Sequence, residues 1–109
     1  MAKASYWQRG EALDYTNTGN TVIEANTILA IGDKIGIAGG DIDPGTLGSV
    51  HVEGVFEFAK DTGAMVLGAN VKIDVETGKA SAAGSDTPNG YVAKAAAADD
   101  STVCVKINA

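Results

Sequence analysis

Apolar and polar residues alternate along most of this chain, in short runs separated by glycine-rich turns. An alternation of period two puts one set of side chains on each face of a β-strand. The longest run lies between Val50 and Phe58. There Val50, Val52, Phe56 and Phe58 share one face with Gly54, and His51, Glu53, Val55 and Glu57 take the other. The pattern predicts one half-buried strand with both phenylalanines at the heart of the core. Shorter runs predict strands over residues 11–16, with Leu13 and Tyr15 on one face, and over 27–31 after an apolar piece at 21–23. Further strands are predicted at 34–38, 71–75, 79–83 and 91–94, and at Val103, Val105 and Ile107 opposite Cys104 and Lys106. Met65, Val66 and Leu67 form a short apolar run stopped by Gly68.

The breaks between these runs are turn chemistry: Asn17-Thr18-Gly19-Asn20, Gly32-Asp33, Pro44-Gly45, Thr77-Gly78 and Asn89-Gly90. Pro44-Gly45 suits a type II turn, since proline presets φ and glycine tolerates positive φ. Gly36, between Ile35 and Ile37, marks a bend of the kind small barrels need. The alanines at 95–98 favour helix but are too few to nucleate one, and Asp99-Asp100 breaks the run. About eight short strands at a turn spacing of roughly ten residues, with no helix, indicate an all-β fold, a small β-barrel or β-sandwich. The expected organisation is an extended N-terminal arm at residues 1–10 and a single β domain at 11–109.

Composition makes this core a thin one. The chain has 109 residues, enough for one domain. It is 45% hydrophobic but only 6% aromatic, with much of the apolar content in Ala and Val, and it holds 14 glycines. Such a domain gains stability from partners that bind only its folded form. The net charge of −6, from eight basic and fourteen acidic residues, opposes binding to nucleic acid or to an anionic membrane. No apolar run reaches the roughly 18 residues of a membrane span. The opening MAKASYWQRG has no apolar stretch of the secretory kind, so synthesis in the cytoplasm as a soluble protein is expected. The single cysteine, Cys104, allows no intrachain disulfide.

No motif supplies convincing chemistry. GIAGGDIDPGT, residues 36–46, has the glycines of a phosphate loop but neither its lysine nor a following helix. A calcium loop counted from Asp41 would need a side-chain ligand where Gly45 stands and a glutamate where Val52 stands. His51 has Ser49 and Glu53 near it in sequence, but on a flat strand face that excludes no water. A cross-strand pair or an interface contact is the better reading. Asp99-Asp100 and Glu11 with Asp14 qualify as paired carboxylates by residue type alone, and few aromatics are available to shape a sugar cleft. No enzyme, cofactor or metal is expected. What stands out is Tyr6 beside Trp7, the only tryptophan, in the arm. Such a pair on a terminal arm either folds back onto its own domain or anchors on a neighbour, and aromatic residues are enriched at interface centres.

Four stretches in order, AKASYWQRGEALDYTN, ILAIGDKIGIAGGDIDPGTLGSVHVEGVFEFAK, LGANVKIDVETGKA and TVCVKINA, resemble a family of small phage proteins grouped under the domain label DUF2190. Its members are head decoration or capsid cement proteins. The stretches span nearly the whole chain, and GSVHVEGVFEFAK at residues 48–60 is the most specific. The resemblance implies a β domain on the outer surface of the virion, bridging major capsid protein subunits. It also implies a homo-oligomer, with a trimer favoured, and an arm that docks through Lys3, Ser5, Tyr6, Trp7, Gln8 and Arg9. The alternatives are a surface- or carbohydrate-binding β module without catalysis, and a small hydrolase built around His51.

Overall fold

The break at Gly54 shapes the whole molecule. In a computed structural model describing Met1–Ala109, the chain forms nine short strands and no helix. The first four are β1 (Ala12–Thr16), β2 (Ile28–Ile31), β3 (Lys34–Ala38) and β4 (Leu47–His51). They make an open antiparallel sheet in the order β1-β4-β3-β2. The remaining five are β5 (Val55–Lys60), β6 (Asn70–Ile73), β7 (Lys79–Ala82), β8 (Gly90–Lys94) and β9 (Thr102–Ile107). They close into a barrel in the order β5-β7-β6-β8-β9. All its pairings are antiparallel except the short one between β5 and β7. The all-β expectation holds, with a barrel in one half and one strand more than the eight or so expected.

The predicted nine-residue strand at 50–58 is therefore two strands in two different sheets. β4 ends at His51 and β5 begins at Val55, with Gly54 at φ 123 between them. Alternation on both sides of the break is genuine, but a period of two carries no information about a change of direction at a glycine. The two phenylalanines separate in consequence. Phe58 is buried at 4% exposure inside the barrel, whereas Phe56 is half-buried and packs against the edge of the core. Val50 is fully buried within the open sheet, opposite Leu13 and Ala38, and takes no part in the barrel cluster.

The barrel interior is filled by period-two residues of the kind the sequence suggested. Val103, Val105 and Ile107 of β9 point inward, as do Val71 and Ile73 of β6 and Val92 of β8. Burial of each such side chain contributes roughly 1.5–3 kcal/mol. Ile35 and Ile37 of β3 enter the same cluster from the open sheet. Val75 was expected to extend β6 but lies outside it and is exposed. The chain turns at Asp74, whose carboxylate accepts the Glu76 N–H at 2.9 Å and whose carbonyl accepts the Gly78 N–H at 2.7 Å. The alanine run forms no helix. Ala96 is buried and exchanges two backbone hydrogen bonds of 2.9 Å with Met65.

Tight turns use the expected residues. Gly32, at φ 58, takes the first central position of the two-residue β2–β3 hairpin, as a type II′ turn requires. Gly90 has no room for a side chain, because a β-carbon there would strike the Lys106 carbonyl oxygen.

No buried side-chain nitrogen or oxygen lacks a hydrogen-bond partner. The Asn17 amide donates to the Thr21 and Ile42 carbonyls at 2.7 and 2.9 Å and accepts the Gly19 N–H. Asn89 accepts the Ile73 N–H at 2.7 Å. The Lys60 ammonium donates to the carbonyls of Asp61, Gly63 and Ala98, fastening one end of the barrel. Asn108, at φ 59, donates to the Ile35 and Val52 carbonyls and accepts the Ile35 N–H.

The separation of the phenylalanines has a measurable consequence. Phe58→Ala should cost about 3–5 kcal/mol in urea unfolding, and Phe56→Ala clearly less. A single unbroken strand with both rings in the core would give equal costs. Gly90→Ala should lower stability by about 1–3 kcal/mol through overpacking at β8–β9, whereas Gly63→Ala, with open space around it, meets no neighbour and should report only the strain of its φ of 94.

Candidate functional site

The first nine residues contain no alternating run that could pair with a sheet edge, and they form no strand. Gly10, at φ 78, turns the chain into β1. Lys3, Ser5, Tyr6, Trp7, Gln8 and Arg9 are all exposed. Tyr6 is 82% and Trp7 88% exposed, so neither ring folds back onto the body. The Arg9 guanidinium donates to the Glu11 carboxylate at 2.9 Å, but both side chains are in solvent. An exposed pair of this kind is worth at most about 1 kcal/mol and does little to fix the segment. Lys3 and Arg9 give the segment two positive charges, and all fourteen acidic residues lie beyond it.

The other sequence candidates lie in different surroundings. His51 is exposed on β4, paired with Ala12 and Ile37, and its ring lies 6.1 Å from that of Phe56. The glycine-rich loop is held by its own turn contacts. The Asp41 carboxylate accepts the Ala25 N–H at 2.8 Å, the Asp43 carbonyl accepts the Thr46 hydroxyl at 2.7 Å, and Ile42 is buried against Ile23. Gly45 has φ 77, in keeping with the type II turn expected at Pro44-Gly45. No three His, Cys, Asp or Glu side chains converge in a metal-holding group. Cys104 is half-buried and unpaired on the outer face of β9.

Sequence reasoning missed the clefts. One of about 720 Å³ lies between the β2–β3 hairpin tip and the β6–β7 turn, bordered by Asp33, Lys34, Lys72, Asp74 and Glu76. The Glu76 N–H, and after it the Thr77 N–H, hold the Asp74 carboxyl below its ordinary value. A second cleft of about 350 Å³ is apolar and bordered by Ile28, Ile37, Phe56 and Phe58. Both exist because the chain changes sheets at Gly54. A glycine inside the longest alternating run was the only signal that could have located them.

Tyr6 and Trp7 are thus the aromatic side chains that stand apart from the packed body. Turn-rich strands, a closed small barrel and an unpacked aromatic segment form the setting for the comparison with known proteins. No curated protein and no solved structure matches the chain. Residues 7–107 match the sequence model of the phage cement proteins, and the chain belongs to that family of structural proteins of the virion capsid.

Proposed function

We propose that this protein docks on the outer surface of a phage head and bridges neighbouring major capsid protein subunits, with Lys3, Ser5, Tyr6, Trp7, Gln8 and Arg9 as the anchoring contact. The observation that carries the docking surface is the exposure of Tyr6 and Trp7 in a chain that otherwise buries its large rings in whole or in part. An aromatic ring buries about 150–250 Å², worth roughly 4–6 kcal/mol before other costs. Fixing nine residues of backbone costs about 9–18 kcal/mol. Two rings together return about 8–12 kcal/mol, enough only for the lower part of that range. Docking is therefore most favourable where it orders few residues beyond Tyr6 and Trp7, or adds main-chain hydrogen bonds to the capsid.

A cement molecule that bridges subunits binds only the assembled lattice, and so shifts assembly by mass action. Assembly as a homo-oligomer, with a trimer favoured by the resemblance, would place several arms on one lattice and raise avidity without any new contact. The β body suits this role because its buried polar groups are satisfied internally, leaving the arm free to bind.

Heads lacking the protein should rupture at lower temperature or milder osmotic shock than complete heads, and equal resistance would refute the bridging role. In a head-binding assay, the Tyr6→Ala/Trp7→Ala double variant should lose about tenfold or more in affinity. Its thermal unfolding midpoint should match that of the parent, because both rings are already in solvent. Unchanged affinity would remove the arm from the interface.

A further inference from the structure

The two halves of the fold meet across a seam that very little crosses. The chain passes once from the open sheet to the barrel, through Val52, Glu53 and Gly54. Gly54, at φ 123, occupies backbone space that other residues avoid. No backbone hydrogen bond joins the sheet half to the barrel half. Three hydrogen bonds do, and every one is made by the Asn108 side chain: it accepts from the Ile35 N–H at 3.0 Å and donates to the Ile35 and Val52 carbonyls at 2.7 and 2.8 Å.

Apolar contact across the seam is narrow as well. Ile35 and Ile37 reach into the barrel cluster, and Ile28 packs beside them. The two clefts lie at opposite ends of this contact, the larger at the tip of the β2–β3 hairpin and the smaller at its base. Each has walls from both halves. A close-packed interface resists rotation because any movement opens voids. Here the packed contact is limited to Ile35, Ile37 and Ile28, and an open cleft flanks it on either side.

We infer that the seam is a latched hinge. Val52, Glu53 and Gly54 are the pivot, Asn108 is the latch that sets the resting angle, and the clefts are the space into which the halves turn. Each half has its own hydrogen-bonded ladders, none of them shared with the other, and moves as a body. The device lets one molecule seat on surfaces whose mutual angle varies, and it stands independently of whether the arm is the capsid anchor.

The test uses the whole isotope-labelled protein, with residual dipolar couplings measured for amides of both halves. Asn108→Ala removes the latch and leaves both ladders intact. In this variant the sheet and barrel couplings should no longer fit a single alignment. The Ile35 amide should exchange with solvent about tenfold faster or more, while the amides of Val50 and Val105 keep their protection. One alignment fitting both halves, or protection lost from Val50 and Val105 together with Ile35, overturns the hinge. The parent protein gives a second reading should the variant not fold. Its Ile35 amide should exchange through a local opening insensitive to low denaturant, and its Val105 amide only through global unfolding. The same denaturant dependence at both positions overturns the proposal equally.

Discussion

Closure of the barrel depends on β9. Its six residues pair with β5 on one side and β8 on the other, so the last strand in sequence joins two strands that otherwise share no ladder. The same strand supplies Val103, Val105 and Ile107 to the core, and Asn108 follows directly. The two terminal pairings of the barrel, the packing of its interior and the only polar link to the open sheet are thus made within seven consecutive residues. The β5–β9 pairing joins residues far apart in sequence, and contacts of that kind are slow to form, since chain entropy is lost before they return any stabilisation.

Within each half, the sequence showed most of the architecture because local rules sufficed. Strict alternation located β6 and β9. The Gly32-Asp33 pair located a hairpin, and the alanine run was correctly denied a helix. What could not be read was the relation between the halves. The alternating run at 50–58 looks the same whether the chain continues straight or changes sheets at Gly54, and only the placement of Phe56 and Phe58 in three dimensions decides it. Asn108 was invisible for a similar reason. An asparagine just past a strand carries no local sign that it will bind Ile35, 73 residues earlier. The arm was legible as an aromatic pair without a strand.

The contrast between body and arm ties structure to role. Asn17, Asn89 and Lys60 turn their buried polar groups inward onto backbone partners. Tyr6 and Trp7 have no such partners. In this member of the capsid cement family, polar groups of the body are thus met within the fold, while the rings of the arm are left in solvent.

The difference between a closed barrel and an open sheet also governs how copies behave towards one another. The barrel leaves only a short stretch of β5, ahead of Ala59, without a partner on its β7 side, whereas the sheet ends in two free strands, β1 and β2. The Glu11–Val52 and Asn17–Thr46 hydrogen bonds fix the register, so Ala12, Asp14 and Thr16 direct their own N–H and C=O groups outward along β1. Two such edges meeting antiparallel about Asp14 would set like charges side by side, and β2 is only four residues long. Aggregation by strand addition is thereby discouraged at both edges of the open sheet.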